Sequence, residues 1–410
     1  MPSTRSHRMS RMLAVVTAAA LVAGGGVYRA QASHAEGSAT PTAAALRDVV
    51  LIGNAQAGTI SFLDGHTFAN LGSFDVIPDK QLRLDAMNLI EKAAYEIVRG
   101  QVGDKFADDV AISPDGRTLY VSRNILADAA AFDLSSGRQL WRFKVNGFKA
   151  DHIALSPDGG RLVISATTAS EAQVVDTATG TQVGRFATGT YPHGNDYSPD
   201  GTKIYNSSIG TTSLPKALNF LKGPRQLTVV NAQTLAPIRT YQFEYGIRPA
   251  VFMPDERTMY AQLSYLNGFV EYDLEQGKIL RTVTLPYSDA GKALKPDEYP
   301  QNSAHHGLAV SGDGGKLCAA GTIDDYVAIV SRPALTTDRI ITGSKMPYWA
   351  QTSVDGRHCL VTNSKDNTVS VISYDTAQEL RRIPVGAYPQ RERLAKATPE
   401  VLAALRPSNG

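Results

Sequence analysis

Short apolar runs punctuated by turn residues fill the chain from Asp48 onward. DVVLIGN, TISFLD, DDVAI, TLYVS and AAAFDL are examples, each bounded by Gly, Asp, Ser or Pro. Runs of this length and bounding predict β-strands. One turn recurs between them. Ser-Pro-Asp-Gly occupies 113–116, 156–159 and 198–201, and degenerate copies start at Met253, Ser311 and Ser353. Pro presets φ and Asp-Gly closes the reversal. The Asp residues of these turns, 115, 158, 200, 255, 313 and 355, are spaced by 43, 42, 55, 58 and 42 residues. A period of this size with two expanded units predicts propeller blades.

Each unit reads as four strands, A to D, with the turn between A and B. Six such turns accompany seven B–C–D sets. The extra set, DVVLIGN, TISFLD and NLGSFDV, comes first and lacks strand A. VGAYPQRERLA (Val385–Ala395) aligns through Gly-x-Tyr-Pro with ATGTYPHGNDYS and supplies it. The expected fold is all-β: a seven-bladed β-propeller of four-stranded antiparallel blades over 48–395. Its first blade is shared by the two ends of the chain, so no free sheet edge remains.

In such a meander the A–B turns all lie on one face, and the B–C and D–A connections lie on the other. Every long insertion, 77–105, 209–225 and 286–304, falls on the second face. Within the first of them, apolar spacing and a Gly stop predict a helix over Arg83–Gly100. Long loops on one face of a rigid scaffold point to function there.

Composition adds limits. The chain is 43% hydrophobic and 20% charged with net charge +2, which gives no electrostatic reason to bind nucleic acid. Residues 1–32 carry basic residues, an apolar run and an Ala30-Gln31-Ala32 cleavage pattern, so a signal peptide is expected. A flexible leader over 33–47 and a C-terminal tail over 396–410 flank the propeller. The expected location is secreted or extracytoplasmic, with no membrane attachment after cleavage and a monomeric state. Cys318 and Cys359 are the only cysteines. They fall on strand B of blades 6 and 7, facing a shared interface. Packed sheets lie ~10 Å apart and disulfide Cα atoms under ~7 Å, so a bond and a reduced pair both stay open.

The Gly-x-x-Pro…Ser-Pro-Asp-Gly pattern, with LYVSR (Leu119–Arg123) and IYNSS (Ile204–Ser208) after it, resembles the YVTN-type β-propeller repeat. The likeness spans nearly all of 48–395. It implies a secreted bacterial propeller, similar to lactonase-like, lyase-like or quinoprotein amine dehydrogenase β-chain-like proteins, or to pure binding modules. Propellers of this kind often carry Pro-His-Gly where His193 and His306 stand.

The start of strand A holds the candidate chemistry. Five residues before each turn lie Asp108, Asp151, His193, Arg248, His306 and Tyr348, with Gln390 from the C-terminal strand. One step later come Asp109, His152, Gly194, Pro249, Gly307, Trp349 and Arg391, and His305 precedes His306. Convergent titratable groups at a concave centre mark a site. Three readings fit. The residues can form a structural hydrogen-bond network. His152, His193, His305 and His306 can ligate Zn or Cu, although strand alternation turns His152 away from His193. Or His193 or His306 moves a proton, oriented by Asp108 or Asp151, with Arg248 holding an anion and Tyr348, Trp349, Gln390 and Arg391 lining the pocket. The leading expectation is a site for a small molecule or protein partner at the channel mouth on the insertion-bearing face. The alternative is a lyase-, lactonase- or metal-type enzyme site at the same place.

Overall fold

The computed structural model describes residues 45–407. The expected signal peptide and most of the expected leader lie outside the described residues. Seven four-stranded antiparallel sheets form the blades of a β-propeller, as the turn period predicts. The inner strands are Pro389–Ala397 in blade 1, Asp109–Ile112, Ala150–Leu155, Pro192–Tyr197, Ile247–Phe252, Leu308–Val310 and Pro347–Thr352. Each contacts the next, and the last returns to the first. The C-terminal strand pairs with Arg47–Asn54 from the N-terminal side, closing blade 1.

The recurrent turn is held by its own side chains. Ser113 Oγ donates to Asp115 Oδ1 and accepts the Thr118 N–H. Gly116 takes φ +73°, a region open to glycine at little cost. Pairs Ser156–Asp158, Ser198–Asp200, Ser311–Asp313 and Ser353–Asp355 repeat the device.

The apolar core is divided among the seven blade interfaces. Val49, Phe62, Val110 and Phe132 fill the space between blades 1 and 2. Val50, Ile52, Leu360 and Val371 fill that between blades 7 and 1. Each fully buried Val, Leu or Phe contributes about 1.5–3 kcal/mol, so the ring is stabilised around its periphery and its axis is left for polar groups. Between blades 6 and 7 a Cys318–Cys359 disulfide spans a Cα–Cα distance of 6.4 Å. Blades splay outward from the axis, so strands B of neighbouring blades approach more closely than flat stacked sheets do.

The first insertion differs from expectation. It holds two helices, α1 (Lys80–Asp85) and α2 (Leu89–Val102), instead of one over Arg83–Gly100. Asn88 breaks the run because it caps α2: its side chain accepts the Glu91 N–H, and its own N–H donates to Glu91. Gly100 lies inside α2, and Gly103 ends it at φ +75°. The three insertions join over one face. Gln301 Nε2 donates to the Gln101 carbonyl, the Lys216 N–H to Asp297, and Lys222 Nζ to Asn302 Oδ1. The helix α3 (Asp289–Ala293) belongs to the third insertion, while α4 (Pro399–Ala404) follows the closing strand and buries Val401 in the core between blades 1 and 2.

Candidate functional site

Entry into the inner strands is irregular in a repeated way. Ladder register shifts between Ala150 and Ile153, Pro192 and Asn195, Ile247 and Ala250, and Pro347 and Trp349. Tyr191, Met346 and Tyr388, each preceding a proline, take φ of 55°, 55° and 58°. Such backbone is rare outside glycine and clusters where structure over-determines it. These bulges suspend the two-residue alternation, so consecutive residues can both reach the axis.

The result corrects the expected phase of His152. Its ring centroid lies 4.2 Å from that of His193. His193 Nδ1 meets Asp151 Oδ1 at 2.9 Å, and His193 Nε2 meets His306 Nε2 at 3.3 Å. His306 stacks on Tyr348 at 4.1 Å, and Trp349 lies 5.7 Å from His152 and 5.9 Å from His306. Burial lowers the His193 pKa to about 4, with Asp151 opposing the shift. Burial also holds His152 and His306 well below the usual imidazole range, so all three are neutral near pH 7.

Several charged neighbours are paired. Lys149 Nζ reaches Asp151 at 3.0 Å, and Lys105 Nζ reaches Asp108 at 2.7 Å. Burial alone would raise the Asp151 carboxyl, yet Lys149 and His193 hold it well below its ordinary value. Asp109 takes Arg391 Nε at 2.9 Å and Arg393 Nη2 at 2.9 Å. Arg391 also lies over the Trp349 ring at 3.6 Å. Arg248 is not: it is 1% exposed and donates Nε to Ser264 Oγ. No carboxylate lies within ion-pair distance of it among the described residues, and its Nη2 meets no acceptor. Burial lowers its pKa to about 10, so it stays charged.

A cavity of about 290 Å3 runs along the axis beneath this cluster. His152, His193, Arg248, Trp349 and Arg391 line its inner end, and Pro199 of an A–B turn lines the outer end. Trp349 Nε1 also lacks a protein partner, and the His152 ring nitrogens make only long contacts, 3.5 Å to Asp109 Oδ2 and 3.6 Å to Asp151 Oδ1. Several inner strands are buried where they start and more exposed towards their turn, as in Ile247–Phe252 and Pro347–Thr352. The expected mouth on the insertion-bearing face is therefore corrected. The insertions cover that end, and the cavity reaches the site from the turn face.

Other expected members separate. His305 faces Tyr326, whose hydroxyl lies 3.4 Å from its Nε2, and it joins no other imidazole. Its turn away follows from its place in the irregular segment before the short strand Leu308–Val310. Asp108 accepts from Asn124 at 2.6 Å and pairs with Lys105, so the orienting carboxylate is Asp151. Gln390 is buried with Oε1 unpartnered. Arg393 and Asp196 line the cavity without having stood among the expected residues. Arg393 follows Arg391 by two, which on a strand puts both on one face. Burial pushes Asp196 up to about 6 against the pull of Arg393.

Glu392, between the two arginines, is fully buried, and neither carboxyl oxygen has a protein partner. Burial pushes its pKa well above the usual range. The folded state then holds a proton that the unfolded state releases above about pH 4.3. Stability is lost as pH rises from there towards the folded value. Glu392→Gln is expected to gain on the wild type by up to about 1.4 kcal/mol per pH unit in that window. Urea unfolding at pH 5, 6 and 7 checks this; a difference independent of pH contradicts it.

No known family profile and no curated protein matches the chain. Among solved structures it is similar to Kuenenia stuttgartiensis hydrazine synthase, at 17% identity and TM-score 0.56 over 83% of this chain and 99% of that one. That likeness supports the propeller fold alone.

Proposed function

We propose that this propeller binds a small carboxylate-bearing molecule in its axial cavity, entered from the turn face. The observation that carries the reading is Arg248, a buried guanidinium without a carboxylate partner, whose cavity also holds the unpartnered indole N–H of Trp349. A buried unpaired charge is costly, and an anionic ligand removes that cost. Arg presents a planar fork matched to a carboxylate. The cavity, about 290 Å3, suits an acid of a few carbons. The repeat turns support assignment to the YVTN type of propeller. The Cys318–Cys359 disulfide supports an extracytoplasmic location, where such bonds persist.

Acid–base catalysis by His193 has less support. His306 already engages its Nε2, and burial lowers its pKa to about 4. Isothermal titration with mono-, di- and tricarboxylates, phosphate and sulfate tests the binding reading. At least one carboxylate is expected to bind, and Arg248→Met to weaken it about 10–100-fold, the worth of one charged hydrogen bond. Carboxylate binding unchanged in Arg248→Met would falsify the reading.

A further inference from the structure

We infer that two copies of this chain pair through the outer face of α2, run antiparallel about a two-fold axis. An amphipathic helix on a globular surface turns its apolar stripe to the core. The 14 residues of α2 carry two such stripes. Val98, with Tyr95 and Val102, packs inward against Phe106, Ile125 and Leu126. Ile90, Ala93 and Ile97 form a second stripe at i, i+3 and i+7, and it faces out. Leu89, Ile90 and Ile97 are 86%, 71% and 62% exposed. Between this stripe and Phe148, Thr168 and Tyr191 of the propeller runs an apolar groove of about 500 Å3. Contiguous exposed apolar surface marks an interaction site.

Self-complementarity selects a second copy as the occupant. A two-fold axis beside Ala93 and Ala94 sets Ile90 of one copy against Ile97 of the other, and the small Ala side chains let the helices close. The charges fit the same register. Glu96 of one copy then stands level with Lys92 of the other to within one residue, about 1.5 Å of rise. A parallel pair would instead set Glu96 against Glu96 and Lys92 against Lys92. Lys92 forms no ion pair among the described residues, and Glu96 has only Arg99 at 3.6 Å. The first insertion, 77–105, holds five basic and five acidic residues, so two copies do not repel through it. The inference departs from the monomer expected from the sequence. It stands apart from carboxylate binding, because pairing on the insertion-bearing face leaves the turn face and its cavity open.

Sedimentation velocity of the chain lacking the expected signal peptide, from about 1 to 300 µM, tests the inference. One helix pair covers less than the ~800 Å2 a side of a standard interface, so a monomer–dimer equilibrium with Kd of about 1–100 µM is expected. Ile90→Glu/Ile97→Glu, checked as folded by circular dichroism, should be monomeric throughout, a loss of about 100-fold or more, since four Ile side chains leave the interface. Glu96→Lys should weaken pairing about tenfold, and Glu96→Lys/Lys92→Glu should restore it. A wild type that stays monomeric at every concentration overturns the inference, and its binding to phosphatidylethanolamine–phosphatidylglycerol vesicles would assign the face to lipid. A dimer unchanged in Ile90→Glu/Ile97→Glu, or a charge swap that fails to restore pairing, overturns it as well.

Discussion

Asp109→Asn is expected to cost about 3–5 kcal/mol, the usual consequence of leaving buried cations without their counter-charge. Asp109 is 1% exposed and ties three blades together. It belongs to the inner strand of blade 2. It accepts from Arg391 and Arg393 on the C-terminal strand of blade 1 and from the Ile153 N–H of blade 3. Blade 1 is the one assembled from both ends of the chain, so this carboxylate sits beside the ring closure. Burial alone would raise its pKa, but Arg391 and Arg393 hold it well below the ordinary value. Its stabilising contribution is thus complete above about pH 3.9 and is lost as pH falls through the folded value. Denaturant unfolding at pH 7 and at pH 3 checks both parts. The gap between wild type and variant should be large at pH 7 and smaller at pH 3. An equal gap at both would show that charge pairing is not its source.

Arg123→Met is expected to cost about 3–5 kcal/mol through a second buried network. Arg123 is fully buried. It meets Asp128 through Nε at 2.7 Å and Nη2 at 3.0 Å, and Asp79, next to α1, through Nη1 at 2.5 Å. It therefore anchors the first insertion to blade 2. Arg83 and Arg142 keep partial hold on Asp128, which places the loss towards the lower end of that range. Because the damage is an unpaired buried charge, Arg123→Met/Asp128→Leu should recover most of it. A double-mutant cycle by guanidinium unfolding tests this. Additive losses would mean that the pair acts through packing alone.

The blades were legible because their signal is local. Ser-Pro-Asp-Gly specifies its turn through its own hydroxyl, carboxylate and glycine, and counting such turns locates strands. The ring of inner-strand residues followed from the same count, and Asp151, His193, Arg248, His306 and Trp349 do converge. His152 was not legible as a member, since alternation fails where the strand entry bulges, and a bulge depends on both strands of the pair. The direction of access was also hidden. Which end of a channel is sealed depends on contacts among three separate insertions, in which Gln301, Asp297 and Asn302 of the third meet Gln101 of the first and Lys216 and Lys222 of the second. The Cys318–Cys359 bond turned on blade splay, which flat-sheet spacing does not describe.

The central claim is that the axial cavity holds a carboxylate against Arg248. A crystal structure of the protein grown with the tightest acid from the titration panel tests it most directly. The predicted result is one molecule in the cavity, its carboxylate accepting from Arg248 Nη2 and lying beside His152 and Trp349. Ordered water alone against Arg248, or the acid bound only outside the cavity, would contradict it.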